Sequence, residues 1–142
     1  MFNSSNTPKA NKKLGQHYLN NKDTIQKICH DFVKNASAII EIGPGPATLS
    51  KELANSKLPF YMIEKDERFL EILNQLTPTP TIINADALEL DFSTEIFDKN
   101  SSTDEFWLVS NLPYNVGVPI MLKSMKYQQI KYLTLMFQKE VA

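Results

Sequence analysis

Ala38-Ile39-Ile40-Glu41-Ile42-Gly43-Pro44-Gly45-Pro46-Ala47-Thr48-Leu49 is the segment from which the architecture follows. Ile39, Ile40 and Ile42 are β-branched and give the short apolar run of a buried central strand. Gly43 and Gly45 then supply backbone freedom and let a ligand approach the main chain closely. The run therefore reads as strand, glycine turn and helix, the start of a nucleotide-binding unit. Thr48 stands where the dinucleotide fingerprint has its third glycine, so the motif is only G-x-G. The next apolar run, Pro59-Phe60-Tyr61-Met62-Ile63, closes on Glu64. A carboxylate at that strand end, about twenty residues on, can accept hydrogen bonds from both hydroxyls of a ribose.

The same alternation continues outward in both directions. Upstream, Ile25, Ile28, Cys29, Phe32 and Val33 share one helical face, which predicts an amphipathic helix over residues 22–34 capped by Asn20 or Asn21. His30 falls off that stripe and reads as a surface histidine. Cys29, the sole cysteine, lies on it and reads as packing. Downstream, a helix is expected over about residues 47–56. Asp66 then caps a helix with Phe69, Ile72, Leu73 and Leu76 on one face, ended by Pro78 and Pro80. Thr81-Ile82-Ile83-Asn84 is a third strand, with Asp86 at its mouth. Residues 89–105 read as an acidic loop with a short helix, packed through Phe92, Ile96 and Phe97. Phe106-Trp107-Leu108-Val109-Ser110 is a fourth strand, turning at Asn111-Leu112-Pro113-Tyr114. Pro119 is expected to start the next helix, with Met121, Leu122 and Met125 facing inward, before a fifth strand over Tyr132–Phe137. Five strands alternating with helices make an α/β fold, a mainly parallel sheet covered on both faces.

In 142 residues, 42% of them hydrophobic, there is room for one core. Residues 1–12 are expected to be a flexible basic tail and residues 13–142 one ligand-binding domain. No apolar run approaches the ~20 residues of a membrane span, and the amino-terminal residues lack a greasy secretion segment, so the reading is cytoplasmic. The net charge of −1 hides a segregation. Residues 1–35 carry six Lys against two Asp, residues 36–105 five basic against thirteen acidic groups, and residues 106–142 four Lys against one Glu. Basic ends suit a polyanionic partner, although lysines on a solvated face give the same pattern.

Four features share the edge where a doubly wound sheet binds ligands: Gly43 with Gly45, Glu64, Asp86, and Asn111 to Tyr114. The last suggests a reaction. An exocyclic amine on a nucleobase is a weak nucleophile because its lone pair is delocalised into the ring. The Asn111 side-chain oxygen and the Leu112 carbonyl could accept its two hydrogens. Pro113 stiffens the turn and has no competing N–H, and Tyr114 offers a ring for an extruded base. A sulfonium methyl donor over Gly43 and Glu64 would face that amine, with alignment as the protein's main contribution and no metal required.

The series Gly15-Gln16-His17-Tyr18-Leu19, Glu41-Ile42-Gly43-Pro44-Gly45, Ile63-Glu64-Lys65-Asp66, Asn84-Ala85-Asp86-Ala87, Asn111-Leu112-Pro113-Tyr114-Asn115 and Gln138-Lys139-Glu140-Val141 resembles the ribosomal RNA adenine N6,N6-dimethyltransferase family, from Lys12 onward. The resemblance is greatest to the enzymes that dimethylate two adjacent adenines near the 3' end of small-subunit 16S ribosomal RNA with S-adenosylmethionine. The antibiotic-resistance branch, which acts on large-subunit RNA, more usually has Ile where this chain has Leu112. The resemblance implies a Rossmann-like class I methyltransferase fold, with Gln16, His17 and Leu19 bordering the cofactor and Gly43 and Gly45 lining its methionine part. It further implies that Glu64 holds the ribose, Asp86 meets the cofactor's adenine amine, Asn111 lies between cofactor and target, and Tyr114 stacks on the target base. Asn111, Leu112, Pro113 and Tyr114 would be the catalytic segment. The implied partner is the RNA of an immature 30S subunit. Family members continue well past Val141 with further strands and a helical RNA-binding domain, so the chain reads as an amino-terminal fragment truncated after about the fifth strand. That strand's open edge invites self-association. Two readings stay open beside this one: an RNA-binding or ribosome-assembly module without turnover, and a nicotinamide-dependent dehydrogenase, which shares the glycine turn but leaves Asn111 to Tyr114 unexplained.

Overall fold

The computed structural model describes residues 21–138. Five parallel strands, β1 (Ala38–Ile42), β2 (Phe60–Glu64), β3 (Thr81–Asn84), β4 (Phe106–Pro113) and β5 (Ile130–Gln138), form one sheet in the order β3-β2-β1-β4-β5. The order reverses at β1, so the glycine turn stands at the topological switch point, where β1 and its neighbours open a crevice. All five residues of β1 are buried, as a central strand covered on both faces requires.

Side chains alternate across the sheet into two cores. Ile39, Met62, Trp107 and Val109 meet helices α1 (Lys22–Cys29), α2 (Ser50–Ala54) and α3 (Leu70–Asn74) through Ile28, Cys29, Leu53 and Leu73. On the other face, Ile40, Ile63, Phe106 and Leu108 meet the segment around α4 (Phe92–Glu95) and helix α5 (Tyr114–Ser124) through Phe92, Ile96, Phe97 and Ile120. The predicted packing points of the acidic loop are thus all buried. Helix caps also follow the sequence: Asn21 Oδ1 accepts from the Thr24 N–H at 3.1 Å, and Asp66 Oδ1 from the Arg68 N–H at 3.0 Å. His30 is exposed and Cys29 buried, as expected.

Strand β5 runs from Ile130 to Gln138 instead of Tyr132 to Phe137, and four further departures from expectation have a tertiary reason. Helix α1 stops at Cys29 instead of residue 34, because Phe32 leaves the helical path to stack on Tyr132, with centroids 4.9 Å apart, and to meet Trp107 edge-on. Helix α2 begins at Ser50 instead of residue 47, since Ala47 has a φ of +69°, incompatible with a right-handed helix. Asn111, Leu112 and Pro113 are not a turn: they are the last rungs of β4, in register with Met136, Phe137 and Gln138 of β5. Pro119 does not start α5, which begins at Tyr114; it lies inside the helix, where it removes the donor that would reach the Asn115 carbonyl. With the helix starting five residues earlier, Gly117, Ile120 and Ser124 face the sheet. Leu122 and Met125, expected inside, are 55% and 67% exposed, and Met121 is half-buried.

Candidate functional site

The carboxyl ends of β1 to β4 bring the predicted residues to one rim. Ile42 hands the chain to a turn in which Gly43 (φ +67°) and Gly45 (φ +54°) are both left-handed, a conformation that strains any residue with a Cβ. The Gly43 N–H donates to the Ile63 carbonyl at 2.9 Å, fastening the turn's entry to β2. Its crown is held by Glu64: Oε1 accepts from the Gly45 N–H at 2.8 Å and Oε2 from the Asp66 N–H at 2.9 Å. Glu64 is therefore no surface carboxylate. It is buried, and burial pushes its carboxyl above the usual range while the Asp66 and Gly45 N–H groups pull it back.

The Glu64 carboxyl accepts from the Gly45 and Asp66 N–H groups, with the Lys65 N–H also acting on it, and keeps spare lone-pair capacity. Among the described residues, a Cβ placed on Gly45 would meet nothing nearer than the Gly43 carbonyl oxygen at 4.0 Å. A Cβ on Gly43 would lie 2.9 Å from Leu112 Cδ2. The turn from β1 thus rests directly on the end of β4. Ser110 ties the same two strands, its hydroxyl donating to the Ile42 carbonyl at 2.8 Å.

At the end of β3, the Asn84 side chain donates to the Glu64 and Lys65 carbonyls at 2.8 and 3.3 Å. This holds the β3 exit beside β2 and sets Asp86 on the rim, where Lys65 Nζ lies 3.3 Å from its Oδ2. The Leu88 N–H, donating to Oδ1 at 2.9 Å, and Lys65 keep the Asp86 carboxyl below its ordinary value. Asn111 is half-buried at the β4 end, and its side-chain amide makes no hydrogen bond among the described residues. Tyr114, at the start of α5, is 49% exposed and stacks one ring face on Phe137 at 5.1 Å and 12°. Gly117 makes room for that Phe137 ring: a Cβ there would fall 2.7 Å from it.

Gly43, Gly45, Glu64, Asp86 and Asn111 to Tyr114 therefore share one edge. Gln16, His17 and Leu19 lie outside the described residues. Sequence reasoning passed over several partners in this edge. Glu41, 2% exposed, accepts from the Ser50 hydroxyl at 2.5 Å behind the glycine turn. A lone acid in an otherwise apolar strand was its signal. Asn84, Lys65, Gly117 and Phe137 also went unassigned; of these, only a glycine inside a helical run carried a legible hint of close packing. A shallow hollow at the opposite edge, lined by Lys57, Pro59, Tyr61, Pro78 and Thr79, contains none of the predicted residues.

Known proteins resemble this chain in sequence and in fold. Ribosomal RNA small subunit methyltransferase A of Phenylobacterium zucineum is 38% identical over 138 residues, covering 94% of this chain and 47% of that protein. The protein of the same name from Malacoplasma penetrans is 34% identical over 134 residues, again 94% of this chain and 47% of its own length. The chain thus spans about half the length of these curated relatives. In fold, it superposes on the crystal structure of the 23S rRNA methyltransferase ErmE with a TM-score of 0.67 at 22% identity, over 84% of this chain and 47% of that one. A dimethyladenosine transferase from Plasmodium falciparum gives 0.60 at 21% identity, over 87% and 44%. The model of the ribosomal RNA adenine dimethylase family matches residues 7–142, and the chain belongs to that family.

Proposed function

We propose that residues 13–142 are the cofactor-binding and catalytic part of an enzyme that dimethylates the N6 amines of two adjacent adenines near the 3' end of 16S ribosomal RNA. The observation that carries this reading is the Gly45–Glu64 clasp, which sets a buried carboxylate against a left-handed glycine turn where, among the described residues, Gly45 has room above it. That geometry fits a ribose diol beside a ligand backbone lying against the turn. The Lys65–Asp86 pair on the same rim offers an acceptor for an amino group. S-adenosylmethionine, the cofactor these features suit, supplies the electrophilic methyl group. Gly43 and Gly45 would line its methionine part, Glu64 its ribose and Asp86 its adenine. Gln16, His17 and Leu19 would border it.

In this reading the Asn111 side-chain oxygen and the Leu112 carbonyl hold the target amine's hydrogens, localising its lone pair, and Pro113 keeps the segment stiff. Tyr114 presents its outer face to the extruded base, with Phe137 behind it. The substrate is RNA of the immature 30S subunit, and the site of action is the cytoplasm. No helix among the described residues is long and apolar enough to cross a membrane. Calorimetric titration with S-adenosylmethionine tests the cofactor, and transfer of labelled methyl groups to immature small subunits tests the reaction. Heat without transfer would favour a second reading, an RNA-binding module without turnover, for which the basic ends speak. Methylation of large-subunit RNA instead would assign the chain to the antibiotic-resistance branch. Among the described residues β5 pairs only with β4, which suits pairing with a second copy; sedimentation across a concentration series tests that self-association.

A further inference from the structure

We propose that Glu41 is a positioning residue, held as a neutral carboxylic acid that clasps Ser50 and so closes the base of the glycine turn. Resting on the cofactor reading above, this adds a residue that would touch no ligand. Between Glu41 and Ser50, the first residue of α2, the chain carries three left-handed residues: Gly43, Gly45 and Ala47, with φ of +67°, +54° and +69°. A loop of that kind persists only where its surroundings over-determine it. Its crown is held by the Gly45–Glu64 bond, and its base by the 2.5 Å contact between the Ser50 hydroxyl and Glu41 Oε1.

The surroundings of Glu41 favour the neutral form. It lies in register between Met62 and Val109, both wholly buried. Among the described residues no Lys, Arg or His forms an ion pair with it. Among the described residues, the charged groups that act on Glu41 and Cys29 are acids: Glu64 of β2 on Glu41, and Glu41 itself with Glu52 of α2 on the Cys29 thiol of α1. Burial first, and Glu64 next among the groups that raise it, push the Glu41 carboxyl up to about 8, against the Ser50 bond that lowers it; burial likewise pushes Cys29 up to about 12. An ionised Glu41 would be a buried charge with one hydroxyl for company, near the Glu64 carboxyl. As an acid it can accept the Ser50 hydroxyl through Oε1 while carrying no charge beside Glu64.

Two measurements on the chain decide this, with Glu41→Gln as the uncharged isostere and Ser50→Ala and Glu41→Ala as clasp-breaking variants. The first is ligand-free unfolding in urea from pH 5 to 9. A folded acid that keeps its proton while the unfolded chain releases it loses stability as pH rises through that interval. The folding constant of Glu41→Gln relative to wild type is therefore expected to rise by up to about tenfold per pH unit, levelling off above the value of about 8. A ratio that stays flat overturns the proposal. The second is titration with S-adenosylmethionine at pH 7. Glu41→Gln is expected within about threefold of wild type, while Ser50→Ala and Glu41→Ala are weakened about tenfold or more, the scale of one lost buried hydrogen bond. A tenfold loss in Glu41→Gln at unchanged stability would mean that the charge itself serves the ligand, and would also overturn it. If wild type binds no S-adenosylmethionine, the cofactor reading fails, and the unfolding series still decides where the proton resides.

Discussion

Replacing Gly43 with alanine perturbs the point where the turn from β1 rests on the end of β4. Two costs can be separated. At φ +67° a Cβ crowds its own backbone, which costs about 1–2 kcal/mol. The new methyl would also sit 2.9 Å from Leu112 Cδ2, a distance that real side chains do not hold. Leu112 must then leave its rotamer or shift the β4 terminus, at roughly 0.5–1.5 kcal/mol. The sum, about 1.5–3.5 kcal/mol, lowers the folding constant by about 10- to 350-fold. Urea unfolding followed by Trp107 fluorescence reads it cleanly, since Trp107 is the only tryptophan and is wholly buried between β4 and the α1 side of the sheet. The double variant Gly43→Ala/Leu112→Ala isolates the contact. Its loss should be smaller than the sum of the single losses by about 0.5–1.5 kcal/mol, because truncating Leu112 clears the space while leaving the backbone cost. Gly43→Ala within about 0.3 kcal/mol of wild type, or strictly additive losses, would refute the contact and with it the coupling between turn and β4.

Gly117→Ala should cost about 1–3 kcal/mol, since its methyl would fall 2.7 Å from the Phe137 ring. The Tyr114–Phe137 stack should loosen with it, seen as altered ring chemical shifts of Tyr114 in NMR spectra. Asn111→Ala should leave S-adenosylmethionine affinity within about threefold while removing methyl transfer in a full-length context, whereas Glu64→Ala should weaken that affinity about tenfold or more. Equal losses of binding in the two would contradict the division of roles between the β2 and β4 ends. Lys57→Gly should raise stability by about 0.5–1 kcal/mol in the same urea assay, because exposed Lys57 holds a left-handed φ of +62° just past α2.

The family's structural partners illustrate why the rim is the informative part. Glu64 would be an ordinary strand-end acid if it did not close on Gly45, and Asp86 an ordinary cap if Asn84 did not hold its loop beside β2. Each bond joins residues 19 or 20 positions apart in the chain, so local sequence rules cannot reach it.

The one-dimensional pattern determined the strands, because a covered parallel strand shows as a short, mostly apolar run and Ala38–Ile42, Phe60–Glu64 and the first five residues of β4 each provide one, with Ile82 and Ile83 marking β3. It also determined the rim, since strand ends in an alternating α/β chain all point one way and the motif residues follow them directly. Contacts between distant segments decided the rest. Phe32 abandoned the helix for Tyr132 and Trp107. Asn111 to Pro113 became strand because β5 runs on far enough to pair with them. Helix α5 turned Gly117 inward and Leu122 and Met125 outward, because its phase is set by the Tyr114 start and the Phe137 ring. Glu41 followed the same rule: its type is written in the chain, but its solvation, which sets its charge, exists only once two helices cover the sheet.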